Sequence, residues 1–181
     1  PNITENQICA LSGPNLAGEI LSGLPSSSVI ACKNIKTAEY IQNILNSSLF
    51  RVYTNDDLTG VEIAGAFKNV IAIAAGISDG LKLGDNAKSA IITRGLAEMA
   101  RLGKTLGARQ STFAGLSGMG DLIATCSSNM SRNYRAGEML AKGISTSEIT
   151  SNSKNVIEAI NVPNPKLKIA ICKIKRGKYK I

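Results

Sequence analysis

Apolar residues fall into short blocks at the start of this chain and into long, helix-spaced stretches after it. Ile8 to Leu11 is a compact apolar run closed by Ser12-Gly13-Pro14-Asn15, and Leu16, Ala17, Ile20 and Leu21 follow at helical spacing. The pattern predicts a strand, a tight turn and a helix start. Such a turn can offer free backbone N–H groups to a ligand oxygen, and it is equally ordinary Gly-Pro turn chemistry. A loop from Gly23 to Ser28 leads to a second strand, Val29 to Cys32. Asn34 is placed to cap a helix with Ala38, Ile41, Ile44 and Leu45 on one face, and Leu49 to Thr54 makes a third strand. The rhythm is βαβαβ-like, which suggests an α/β unit. Three strands and two helices are too few for a doubly wound sheet covered on both faces, so the strands that should pair with these are expected outside this chain.

Beyond Asp56-Asp57 every periodic stretch is helical. GVEIAGAFKNVIAIAAGISDG, from Gly60 to Gly80, is apolar on nearly every side and predicts a buried helix, interrupted too often by Glu62, Lys68, Asn69 and glycine to be read as a membrane span. Lys68 lies in the middle of that surface. Its ammonium must either snorkel to water along its four-carbon stem or point into a polar cavity that needs a cation. A second helix is predicted from about Asn86 to Gly103, with Arg94 and Glu98 as an i,i+4 pair. The loop AGLSGMGD follows, and then a helix capped by Ser131 and ending at Lys142-Gly143. Ser145 is placed to cap another short helix, Asn155 to Ile160 is helix-compatible, and Pro163 and Pro165 precede an apolar, basic last helix from about Lys166 to Lys175.

Composition narrows the chemistry. The 181 residues contain no histidine, which removes Ser-His and Cys-His nucleophile pairs, His-ligated metals and His acid-base catalysis, so no metal is expected and proton transfer falls to Lys, Asp, Glu, Tyr or Cys. Cys9, Cys32, Cys126 and Cys172 stand singly among apolar neighbours and read as reduced, buried thiols of a cytoplasmic protein. The net charge of +8 is concentrated toward the end of the chain (Lys166, Lys168, Lys173, Lys175, Arg176, Lys178, Lys180), and with aromatic residues at 4% there is little to stack on bases, so nucleic acid is not an expected partner. No leader-like or membrane-spanning segment is read in the sequence.

Two places combine groups that a ligand would use. Ser131-Arg132-Asn133 sets two hydrogen-bonding side chains, a guanidinium and free backbone N–H groups at one helix start, an arrangement suited to a phosphate. It is also compatible with a plain capped helix carrying a solvent-facing arginine. Gly118-Met119-Gly120-Asp121 is a Gly-rich bend with one carboxylate, which can bond a substrate hydroxyl, pair with Lys68, or cap the segment that starts at Leu122.

Two stretches, VEIAGAFKNVIAIAAGISDGLKLGDNAKSAIITRGLAEMARLG and TFAGLSGMGDLIATCSSNMSRNYRAGEMLAKG, closely resemble the bacterial NAD(P)-dependent glycerol-3-phosphate dehydrogenases. LSGPNLAGEI and FRVYTNDDLTGVE resemble the segments that join that family's dinucleotide-binding and helical domains, so the likeness covers about Ile8 to Glu158. It implies a mixed fold: residues 1 to 59 as the remnant of an α/β Rossmann-type domain, and residues 60 to 181 as an all-α, 6-phosphogluconate-dehydrogenase-like substrate domain. It implies hydride transfer between NAD or NADP and dihydroxyacetone phosphate, giving sn-glycerol 3-phosphate for phospholipid synthesis.

Matched residue by residue, the resemblance makes Lys68 the catalytic lysine that polarises and protonates the substrate carbonyl. Gly13, Asn15, Asp121, Ser131, Arg132 and Asn133 match substrate-binding positions, and Ala17, Arg132, Val156 and Glu158 match cofactor contacts. The expected partners are the small phosphorylated substrate and the N-terminal half with the Gly-rich fingerprint, which this sequence lacks. A homodimer is left open. Asn15 stands where the family commonly has Ser or Thr, and the chain after Ile160 is shorter than the family's. The reading that competes from outside enzymology is a non-catalytic fragment or a helical interaction or dimerisation module.

Overall fold

The structure, a computed structural model, describes residues 4–152. Val156, Glu158 and the predicted last helix lie outside the described residues. The described chain has three strands, β1 (Cys9–Ser12), β2 (Ser26–Cys32) and β3 (Phe50–Asn55), and eight α-helices. These are α1 (Ala17–Leu21), α2 (Ile35–Leu45), α3 (Leu58–Gly80), α4 (Asp85–Thr105), α5 (Gln110–Ala114), α6 (Asp121–Ser127), α7 (Arg132–Ala141) and α8 (Thr146–Asn152). Within the described residues they form two compact units, one of residues 4–68 and 95–124, the other of residues 69–94 and 125–152.

The first unit is built on the sheet, in the order β1-β2-β3. The βαβαβ-like rhythm suggests an α/β unit, and β2 and β3, joined through α2, pair parallel, but β1 pairs antiparallel with β2. The reason is the length of α1. Its five residues span only about 7.5 Å, too little to carry the chain back along the sheet as a parallel crossover requires. β2 is buried from Ser28 to Cys32, and its alternate residues serve opposite faces. Val29 and Ala31 pack with Leu58 and Val61 from the start of α3, whereas Ile30 and Cys32 pack with Ala38 and Val52. α2 begins as its sequence predicts, with the Asn34 side chain accepting the Lys36 N–H.

α3 starts at a cap that the sequence pattern did not single out. The buried Asp57 carboxylate accepts the Gly60 N–H at 2.9 Å, the Arg109 N–H at 2.9 Å and the Thr112 hydroxyl at 2.6 Å, and so ties α3 to α5. Burial pushes this carboxyl up, but the bonds it accepts outweigh burial and hold it below the usual carboxylate range. Phe113 of α5 is fully buried against Gly103 of α4, where a Cβ would overlap its ring.

The segment expected to be a loop at Leu116 to Gly120 is a π turn. The Gly120 N–H reaches back to the Gly115 carbonyl at 3.2 Å, and a Cβ on Gly118 would overlap the Phe113 carbonyl oxygen. Leu116 from this turn packs on the Val29, Ala31, Leu58 and Val61 cluster. The glycines therefore serve close packing and a wide helical turn rather than an open bend, and the turn runs directly into α6 with Asp121 as its first residue.

In the second unit the core is Ile73, Ile77, Ala136, Leu140 and Ile149, with Val70, Ala141 and Ile144 against it. α7 opens on Ser131, whose side chain accepts the Tyr134 N–H, and closes before Gly143, which has a φ of +88°. α8 opens on a capping box, with the Ser145 Oγ accepting the Glu148 N–H and the Glu148 carboxylate accepting the Ser145 N–H. By length and composition α3 could cross a membrane, with a mean hydropathy of 1.5 over its most apolar stretch, although its interruptions argued against this in the sequence. More than half of that stretch, 56%, is buried inside the protein, as in a core helix.

Candidate active site

In the first unit, five residues from four segments are linked by hydrogen bonds. Lys68, on α3, directs its Nζ onto Oδ2 of Asp121. The same carboxylate oxygen accepts the Ser12 hydroxyl at 3.2 Å. Ser12 closes β1, and its carbonyl accepts the hydroxyl of Ser28 at 3.1 Å. Ser28 in turn accepts the Asn15 side-chain amide at 2.9 Å. The choice left open for Asp121 is thereby resolved in its structural part: it pairs with Lys68 and stands at the start of α6.

Burial grades along this chain of contacts. The Lys68 side chain keeps 20% of its surface and that of Asp121 only 5%. A largely buried carboxylate thus faces a cation that is still partly reachable, which is what a group meeting a substrate oxygen requires. Gly13 is buried, with φ +154°, and a Cβ there would lie 2.9 Å from the Ser28 Cα, so a side chain at this position would push the turn away from β2. A Cβ on Gly120 would approach the Pro14 ring at 3.6 Å, so the π turn borders the Ser12 to Asn15 turn. Ala17 is exposed at the first position of α1.

Ser131, Arg132 and Asn133 belong to the second unit. Ser131 and Asn133 are buried, and Arg132 is exposed at the first position of α7. This start is braced by Tyr134, whose hydroxyl donates to Asp79, and Asp79 also accepts Lys88 Nζ at 2.8 Å. Burial first, and then the Asp79 carboxylate, push the Tyr134 phenol well above its ordinary value. Among the described residues no three His, Cys, Asp or Glu side chains are grouped to hold a metal.

The sequence pattern at residues 57–172 matches the family model described as NAD-dependent glycerol-3-phosphate dehydrogenase C-terminus. Residues 2–38 match the corresponding N-terminus. The chain belongs to the NAD-dependent glycerol-3-phosphate dehydrogenase family. It is 54% identical over 154 residues to a glycerol-3-phosphate dehydrogenase [NAD(P)+] of Symbiobacterium thermophilum, covering 85% of this chain and 45% of that protein. It is 52% identical to the enzyme of the same name from Synechocystis, over 90% of this chain and 51% of the relative. Among solved structures, the glycerol-3-phosphate dehydrogenase from Coxiella burnetii superposes with a TM-score of 0.83 at 42% identity, covering 96% of this chain and 52% of that one. The corresponding yeast structure gives a TM-score of 0.75 at 28% identity, over 91% of this chain and 51% of that one.

The chain therefore spans about half the length of the curated relatives it matches. Its mixed fold, a short Rossmann-like part with a small sheet followed by a mostly helical part, is that of the glycerol-3-phosphate dehydrogenase structures. Within this dehydrogenase fold, the residues that sequence reasoning missed are Ser12 and Ser28. Ser12 read only as turn punctuation and Ser28 as the end of a loop, because nothing in a linear pattern ties a strand end to an aspartate 109 positions away.

Proposed function

We propose that this chain is part of a glycerol-3-phosphate dehydrogenase that interconverts dihydroxyacetone phosphate and sn-glycerol 3-phosphate with NAD or NADP in the cytoplasm, feeding phospholipid synthesis. On this reading residues 1–59 belong to the dinucleotide-binding domain, whose remainder is supplied by further polypeptide, and residues 60–181 to the substrate domain. The observation that carries the reading is the partly reachable Lys68 ammonium seated on the buried Asp121 carboxylate.

Lys68 is the proton donor. As the carbonyl carbon of dihydroxyacetone phosphate gains a hydride, the carbonyl oxygen takes a proton from Lys68 Nζ, and in the reverse direction the neutral amine recovers that proton from the hydroxyl. Asp121 keeps the ammonium oriented and contacts the substrate, with Gly13 and Asn15 shaping the adjoining turn. Arg132 takes the substrate phosphate, which a guanidinium can meet with two parallel hydrogen bonds, and Ser131 and Asn133 complete that turn. The dinucleotide, when bound, supplies the hydride or accepts it. Ala17 and Arg132, both exposed, are open to it, and Val156 and Glu158 are the remaining contacts that this reading assigns.

Titration calorimetry of the chain with sn-glycerol 3-phosphate tests the proposal, with Arg132→Ala and a phosphate-free analogue, glycerol, beside it. The expected result is a Kd of about 1 mM or tighter that is lost in Arg132→Ala and absent for glycerol. Uptake of glycerol and the phosphate ester alike overturns the phosphate-specific reading, and uptake of neither by a folded chain overturns it in favour of an interaction module.

A further inference from the structure

Asp121 sits where a π turn meets a short helix, with its N–H on the Leu116 and Gly118 carbonyls of that turn. The serine that reaches it is anchored differently. Ser12 is paired in the sheet, opposite Val29 of the buried strand β2. Its carbonyl is held by Ser28, which is fully buried and is itself held by Asn15. Its hydroxyl therefore projects from a backbone position tied to the buried strand β2.

The surroundings leave that hydroxyl room to act. On α3, the residue one turn before Lys68 on the same face is Gly65, and a Cβ there would lie 3.7 Å from Ser12 Oγ. The end of β1 thus lies in van der Waals reach of α3 one turn from Lys68, and the Ser12 hydroxyl meets the same Oδ2 that holds Nζ.

We propose that Ser12 is a positioning residue for the Lys68–Asp121 pair: through its hydroxyl on Asp121 Oδ2, the sheet fixes the carboxylate that holds the Lys68 amine. This rests on the reading of that pair as the acid-base couple of the dehydrogenase. The bond that the Ser12 hydroxyl makes is to the Asp121 carboxylate, and its role is exerted through that group. Asn15 and Ser28 extend the brace to the substrate turn, so a ligand that moves the turn also bears on the lysine.

The test is the rate at which acetic anhydride acylates individual lysines of the whole chain at fixed pH, read by mass spectrometry. Lys88, bonded to Asp79 in the other unit, serves as an internal reference. Ser12→Ala is expected to acylate about threefold to tenfold faster at Lys68, the factor that one lost hydrogen bond to a charged group supports, with Lys88 unchanged and Ser12→Thr matching the wild type. An unchanged Lys68 rate in Ser12→Ala, alongside a faster one in Asp121→Asn, overturns the proposal. So does a rise at Lys68 and Lys88 together, which marks general loosening of the fold. A separate arm adds sn-glycerol 3-phosphate to the wild type: failure to protect Lys68 while the Ser12→Ala effect persists overturns the acid-base reading and leaves the Ser12 contact supported.

Discussion

Gly76 of α3 and Gly137 of α7 meet backbone to backbone: a Cβ on Gly137 would lie 3.0 Å from the Gly76 Cα and would overlap the Ile73 carbonyl oxygen. A Cβ on Gly76 would in turn overlap the Tyr134 carbonyl oxygen. The obstacles are backbone atoms, which cannot swing aside as a side chain can. Gly76→Ala and Gly137→Ala should each cost about 3 kcal/mol or more, the upper range for overpacking a core, and urea denaturation measures it. A loss below about 1 kcal/mol in either variant would show that the two helices can separate cheaply.

Asp57 should dominate the acid limb of stability. Its folded carboxyl titrates below the unfolded value of about 3.9, so its contribution is complete above that value and is lost as pH falls through the folded one. Asp79 is lowered as well: burial pushes it up, but the bonds from Lys88 and Tyr134 outweigh that. Melting temperature should therefore fall progressively below about pH 4. Asp57→Ala removes the α3 cap and strands the Thr112 hydroxyl and the Arg109 N–H, for a loss of about 3 kcal/mol at neutral pH and a flatter acid limb.

The Tyr134, Asp79 and Lys88 cluster governs the alkaline limb. The Tyr134 phenol is raised first by burial and then by Asp79, and the Lys88 ammonium is raised first by its bond to Asp79. Groups raised in the folded state stabilise it fully below their unfolded values, so stability should hold to about pH 10 and decline above it. In an ultraviolet titration, the phenolate absorbance that Tyr134→Phe removes should be the part arriving last. Were that variant to remove absorbance arriving near pH 10, the buried hydrogen bond would be absent in solution.

Gly118 joins packing to the site. A side chain there meets the Phe113 carbonyl, so Gly118→Ala should unwind the π turn and displace Asp121 from Lys68. We expect a loss of about 2–3 kcal/mol and a weakening of sn-glycerol 3-phosphate binding by about tenfold or more. A variant that loses stability while binding fully would show that Asp121 is held independently of the turn.

Local rules settled a definite part of this protein. Asn34, Ser131 and Ser145 cap the helices they were expected to cap, since a cap needs only a side-chain oxygen within three residues of a free N–H. The helix carrying Lys68 and the three strands followed from apolar spacing, because burial repeats with the period of the element. The long motifs also carried the family likeness.

Tertiary structure decided what distance along the chain conceals. Cys9 and Cys32, read singly, stand opposite each other once β1 turns antiparallel, and burial together with this neighbour raises the Cys9 thiol. The Gly-rich bend is a π turn whose Gly118 packs directly on the Phe113 backbone. Lys68 had been left between snorkelling and a polar cavity, and Asp121 between three roles, until α6 and the end of β1 were brought beside α3. An ion pair depends on where two backbones finally meet, and no spacing rule reaches across the 53 positions between these two residues.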